Sequence, residues 1–197
     1  MTIEFCEIQR SNTKKIAEIH CEELGEGVVS LFGSKFVQRL YVNLLEVGNW
    51  GFMAKDEGDV VGFVFATKVE VPLQKSLTFS SIIFFLLESI RSPVKFYSFL
   101  VAFKEFFLLR GEAKTRLTNT TIELSHFAVR EYHKGIGIGG TLIAMLEERA
   151  REEGFLCVFT RTHNKRLSEH YVRTKNAKVV ETISLGQHDS TILEWRL

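Results

Sequence analysis

TIELSHFAVREYHKGIGIGGTLIAMLEERAREEG, residues 121–154, decides how this chain is read. Thr121 to Val129 alternates as a half-buried strand does, Lys134 to Gly140 is glycine-rich, and Thr141 to Glu153 carries Leu142, Ile143, Leu146 and Ala150 at helical spacing before Gly154 stops the run. The unit is strand, loop, helix. Residues without side chains let backbone N–H groups and a helix N-terminus approach an anion closely, so the predicted ligand of the loop is a phosphate or pyrophosphate.

Gly135, Gly137 and Gly140 satisfy G-x-G-x-x-G in form. A dinucleotide fold also needs a carboxylate at the end of the next strand, about 20 residues on, to hold a ribose. That strand here ends in Thr160-Arg161, and the chain is too short beyond it for a second mononucleotide half. A P-loop fails as well, because no Gly-Lys-Ser/Thr follows the glycines.

Working outward, IEFCEIQ reads as a strand and SNTKKIAEIHCEEL as a helix capped by Ser11 or Asn12. Gly33-Ser34 opens a second amphipathic run through Phe36, Val37, Leu40, Tyr41, Leu44 and Leu45. Trp50 to Lys55 and Asp59 to Val69 form a hairpin about Glu57-Gly58. Downstream come the strand FLCVFT, a helix over about Asn164 to Thr174, and two closing strands joined by Gly186 to Asp189. The fold class is α/β in the α+β sense. Between Pro72 and about Arg116, eight phenylalanines in two helix-like stretches split at Ser92-Pro93 predict an inserted helical hairpin. A satellite core or homodimer contact, a substrate lid and a peripheral membrane contact are all open for it.

One domain over 1–197 is expected from the length. A net charge of +1 gives no global pull toward nucleic acid, and the basic residues are scattered. Cys6, Cys21 and Cys157 form no metal-binding or disulfide pattern, no metal site is expected, and nothing at the N-terminus reads as a secretion signal, so the expected compartment is the cytoplasm.

Val129-Arg130-Glu131-Tyr132-His133-Lys134-Gly135-Ile136-Gly137-Ile138-Gly139 resembles the V-x-P-x-[YH]-[RQ]-G-x-G-[IV]-G signature of the GCN5-related N-acetyltransferases, which bind acetyl-CoA. Glu131 stands where Pro is usual and Lys134 where Arg or Gln is usual; Lys134 adds a point charge beside the expected pyrophosphate. Asn164, Leu167 and Tyr171 resemble the family's N-x-x-[AL]-x-x-x-Y, although Lys175-Asn176 stands where Gly-Phe is customary. The resemblance covers roughly residues 1 to 70 and 118 to 197.

It implies a mixed, mostly antiparallel sheet whose fourth and fifth strands splay, with backbone contacts to the pantetheine arm at Phe127, Ala128 and Val129. The pyrophosphate would lie on Gly135, Ile136, Gly137, Ile138, Gly139 and Gly140, with Asn164 hydrogen-bonding the cofactor arm. Tyr171 matches the usual proton donor to the departing thiolate. Glu123 matches, by position, a catalytic glutamate, and faces a deficit of about 8 kcal/mol against a lysine-like amine. His126 has a better-matched pKa but lies on the opposite face under strict alternation unless a bulge intervenes. The implied activity is acetyl-CoA-dependent N-acetylation of a primary amine on a small molecule, amino sugars included, by direct attack in a ternary complex. Protein N-terminal acetylation and a catalytically silent acyl-CoA-binding module are the rival readings.

Overall fold

The computed structural model describes residues 2–25, 28–68, 120–185 and 188–197. The segment 72–116, expected to be an inserted helical hairpin, and residues 186–187 lie outside the described residues. In chain order the elements are β1 (Ile3–Glu7), α1 (Thr13–Glu23), α2 (Ser34–Glu46), β2 (Trp50–Asp56), β3 (Asp59–Lys68), β4 (Thr121–Val129), α3 (Ile138–Glu152), β5 (Cys157–Thr162), α4 (Lys165–Lys175), β6 (Lys178–Leu185) and β7 (His188–Arg196). The strands form one sheet in the order β1-β2-β3-β4-β5-β7-β6. Every pairing is antiparallel except β4 with β5.

Apolar periodicity sets the layers. α1 buries Ile16, Ala17 and Ile19, and α2 buries Phe36, Val37, Leu40, Tyr41 and Leu44, each at the spacing of one helical stripe. All of these but Phe36 pack with Phe63, Phe65 and Ala128 on one face of the sheet. The other face carries α3, whose Ile138, Leu142, Ile143, Leu146 and Ala150 meet Val64, Ile122, Leu124, Val158 and Trp195. β3 lies between the two layers and is buried on both sides from Val60 to Thr67. At the β2–β3 turn Glu57 and Gly58 both have positive φ, 49° and 87°, the signature of a two-residue type I′ hairpin.

α3 begins at Ile138, three residues before the start that periodicity predicts, because its first turn is built from glycines that carry no apolar pattern. All three cysteines are free thiols.

Candidate active site

The parallel pairing of β4 with β5 runs from Thr121 opposite Cys157 to Leu124 opposite Thr160 and then stops. The Thr160 hydroxyl donates to the Leu124 carbonyl at 2.9 Å, satisfying a buried acceptor where the ladder ends. Beyond this point β5 stays with β7 through Thr162, while β4 stays with β3 through Val129. The two strands splay, as the resemblance implies.

Backbone parity identifies which groups face the gap. The Arg130 N–H donates to the Val61 carbonyl at 2.8 Å, and the register runs without interruption from Gly62 opposite Val129 to Phe65 opposite His126. Antiparallel alternation then directs the N–H and C=O of His126 and Ala128 toward β3, and those of Phe127 and Val129 toward the open side. Of the three backbone positions expected to meet a ligand, Phe127 and Val129 are therefore the ones with groups to offer, and Ala128 is used within the sheet.

The loop meets this edge. Gly135 (φ 83°) and Gly137 (φ 93°) adopt left-handed backbone that a side chain would strain, and Gly137 is the N-cap of α3. Ile138 is buried and anchors the helix start in the core. A Cβ on Gly139 would lie 2.9 Å from Phe127 Cζ, so glycine is what lets the helix N-terminus sit against the Phe127 ring. Among the described residues, the backbone N–H groups from Gly135 to Gly140 donate to no backbone carbonyl. Six such donors with a helix dipole behind them have the chemistry to hold an anion.

Carboxylates hold the base of the loop. Glu23, in the last turn of α1, accepts from the Glu131 N–H at 3.1 Å and from Lys134 Nζ at 2.9 Å, and Lys134 also pairs with Glu131. These hydrogen bonds and charges raise the Lys134 pKa. Lys134 is thus engaged by two carboxylates rather than standing alone beside the cradle. His133 contacts Asp56 at 3.3 Å, tying the same turn to β2.

Glu123 is half-buried and accepts from Thr67 Oγ1 at 3.2 Å. The register of β3 against β4 shifts between Leu124 and His126, which makes Ser125 a bulge whose hydroxyl donates to the Phe65 carbonyl at 3.1 Å. The bulge corrects the strict alternation assumed from sequence. Ile122, Leu124 and Phe127 face α3, whereas His126 packs with His20 and Tyr41 beneath α1 and α2, on the face that Glu123 shares with Thr67. His20 Nδ1 meets Tyr41 Oη at 2.7 Å in the interior, and the two imidazoles lie 5.0 Å apart. Burial lowers His20 to a pKa of about 4. Burial, with a contribution from His20, lowers His126 to about 3, so both rings are uncharged at neutral pH.

On α4, Asn164 is the N-cap, its Oδ1 accepting from the Leu167 N–H at 3.1 Å. Tyr171 is fully buried, stacked on Trp195 with ring centroids 5.2 Å apart and planes 20° apart. Its hydroxyl has no hydrogen-bond partner among the described residues. Burial, and secondarily the Glu147 carboxylate, raise its pKa. The missing Gly-Phe is also accounted for. Asn176 takes the left-handed cap (φ 51°, ψ 34°), and Ala177 behind it is the buried residue, one position later than the customary pair.

Sequence reasoning did not find Glu23, Thr67, Thr160 or the His20–Tyr41 pair, all of which act through partners distant in the chain. Glu147 carried a signal, since a charged residue stands at an inward position of the α3 period beside Ile143, Leu146 and Ala150.

A family model described as Acetyltransferase (GNAT) family matches residues 14–174. No curated protein matches the chain in sequence. Solved structures with the same fold include the ribosomal-protein-alanine N-acetyltransferase of Brucella melitensis, 16% identical with a TM-score of 0.63 over 98% of this chain and 99% of that one. The PaiA N-acetyltransferase of Thermoplasma acidophilum in complex with coenzyme A is 13% identical, with a TM-score of 0.59 over the whole of both chains. The phosphinothricin acetyltransferase of Sinorhizobium meliloti in complex with AcCoA is 15% identical, with a TM-score of 0.63 over 100% of this chain and 89% of that one.

Proposed function

Because the chain belongs to the acetyltransferase (GNAT) family, we propose that it moves an acetyl group from acetyl-CoA to a primary amine of a small molecule, amino sugars included, by direct attack with both substrates bound. The observation that carries this reading is the meeting of two sets of unpaired backbone donors. The open edge of β4 at Phe127 and Val129 abuts, through the Gly139–Phe127 contact, the N-terminus of α3.

The residues fit the cofactor. The N–H groups from Gly135 to Gly140, Ile136 and Ile138 among them, would hold the pyrophosphate, with Lys134 exchanging a carboxylate partner for it. Phe127 and Val129 would pair with the pantetheine arm as with an added strand, and Asn164 keeps its Nδ2 free of the cap bond to meet the same arm. Bound acetyl-CoA supplies an activated carbonyl and a thiol leaving group.

The rest falls to the chain's own groups. Glu123 accepts the proton of the incoming ammonium through water, and Thr67 holds the carboxylate in place. A backbone N–H at Phe127 or Val129 donates to the carbonyl oxygen as charge develops there. Tyr171 Oη donates its proton to the departing sulfur, and the proton shed by the acylated nitrogen restores the phenol through solvent. In water the phenol lies about 2 kcal/mol above a thiol in proton affinity. Burial, and secondarily Glu147, raise the Tyr171 pKa further, which keeps it an O–H donor throughout the working pH range. The Glu123 carboxylate, held by Thr67, suits a cationic amine as acceptor.

Thermal unfolding with acetyl-CoA, CoA and NAD tests the reading. At about 100 times its dissociation constant a ligand adds roughly 2.7 kcal/mol, or about 5 to 10 °C for this size. A shift with acetyl-CoA and CoA and none with NAD is the expected result. No shift with saturating acetyl-CoA in a reversibly unfolding protein would overturn it.

A further inference from the structure

Glu147 is an anomaly in the core. It is 7% exposed, within the apolar cluster formed by α3, β5, β7 and α4. Its Oε1 accepts from the Trp195 indole N–H at 2.8 Å, and its Oε2 accepts from Lys175 Nζ at 2.8 Å. A buried ion pair is poor evidence for stability, because apolar residues of the same volume generally serve a core as well or better. Its presence calls for another role.

The geometry supplies one. Trp195 comes from β7 and Glu147 from α3, while Lys175 lies four residues along α4 from Tyr171. The carboxylate therefore fixes the indole on which Tyr171 stacks and also holds the helix that carries Tyr171. The phenol locked in this way is one whose O–H finds no partner among the described residues. A buried donor left unpaired is costly, and such a group persists only where its surroundings hold it. We propose that Glu147 is the positioning residue of Tyr171: by gripping Trp195 and Lys175 at once, it aims an unpaired phenol O–H at the sulfur of the cofactor. This rests on the acetyltransferase reading and on Tyr171 as the donor within it.

Among the described residues, Glu147 on α3 bears on the phenol, its charge raising the Tyr171 pKa, and it is itself paired with Lys175 of α4. The His170 ring of α4 lies 6.1 Å from the Tyr171 ring, and Trp195 of β7, which does not titrate, stacks on it.

The test needs no acceptor. Affinities of CoA and of acetyl-CoA are measured from pH 7 to pH 10 on wild type, Tyr171→Phe, Glu147→Gln and Trp195→Phe, and their ratio is followed. Taking the ratio cancels every titration common to the two ligands. In wild type the ratio shifts toward CoA by about tenfold or more as its thiolate forms and accepts the phenol hydrogen bond. Tyr171→Phe abolishes this gain. Glu147→Gln abolishes most of it while leaving the acetyl-CoA affinity within about twofold, and Trp195→Phe, which keeps an aromatic ring and alters no charge, does the same. Sign separates positioning from simple electrostatics, since removing a nearby negative charge would by itself favour the thiolate and enlarge the gain. An enlarged or unchanged gain in Glu147→Gln, with Tyr171→Phe still abolishing it, overturns the role of Glu147 alone. A flat wild-type ratio, or a gain that survives in Tyr171→Phe, overturns Tyr171 as donor and this proposal with it. Should Glu147→Gln fail to fold, Trp195→Phe decides by the same outcomes.

Discussion

Substituting Gly140 by Glu should stabilise the protein and at the same time remove its cofactor. Gly140 is the third residue of α3, exposed, and a Cβ there meets nothing within 4 Å. Its φ is not positive, so no backbone strain attaches to a side chain. Replacing glycine within a helix gains about 0.5 kcal/mol in propensity, and a carboxylate in the first turn gains about 0.5 kcal/mol against the dipole. The apo protein should therefore melt roughly 2 to 4 °C higher. The same carboxylate lies within the N–H cradle assigned to the diphosphate. Two phosphate charges at about 5 Å with an effective dielectric near 40 repel it by about 3 kcal/mol in all, or roughly a hundredfold in Kd. Gly140→Gln, with similar size and propensity and no charge, separates repulsion from bulk. Calorimetric titration with acetyl-CoA and a melting curve on each variant complete the assay. A stable Gly140→Glu protein that binds acetyl-CoA like wild type would refute the cradle.

Tyr171→Phe removes a buried hydroxyl that has no partner among the described residues, so it should stabilise the fold by about 1 kcal/mol, read as a higher Tm, and lower turnover by tenfold or more. The unfolded chain protonates His20 near pH 6.5, whereas the folded protein resists until about pH 4, so unfolding stability should be flat above pH 7. It should then fall by about 2 kcal/mol between pH 6.5 and 4.5 from this residue, and denaturant titrations should show a shallower fall in His20→Gln. Asn176→Gly places at the left-handed C-cap of α4 the residue that adopts it most easily, and should raise Tm by about 1 to 3 °C without altering acetyl-CoA affinity.

What was legible in the sequence was what the chain encodes locally. The glycines of 135–140 announce a backbone that must bend and approach a ligand, and Asn164 and Tyr171 lie two turns apart on one helix. Glu57-Gly58 is a hairpin turn on its face. What escaped was set by tertiary partners. The bulge at Ser125 leaves TIELSHFAV looking like an uninterrupted alternation, yet it decides that His126 and Glu123 share a face. Lys134 reads as a free cation until Glu23, 111 residues earlier, is brought beside it. The start of α3 was misplaced because glycines carry no periodicity, and the Gly-Phe signal was hidden by one extra helical residue before Asn176.

Amide hydrogen exchange resolved by residue, with and without saturating acetyl-CoA, addresses the central claim most directly. The N–H groups of Phe127 and Val129 face the open side of β4, while that of Ala128 is already tied to β3. Acetyl-CoA should slow exchange at Phe127, Val129 and the Gly135 to Gly140 amides, and leave Ala128 unchanged. If exchange at Phe127, Val129 and the loop is the same with and without acetyl-CoA, the splayed edge and glycine loop are not its binding site.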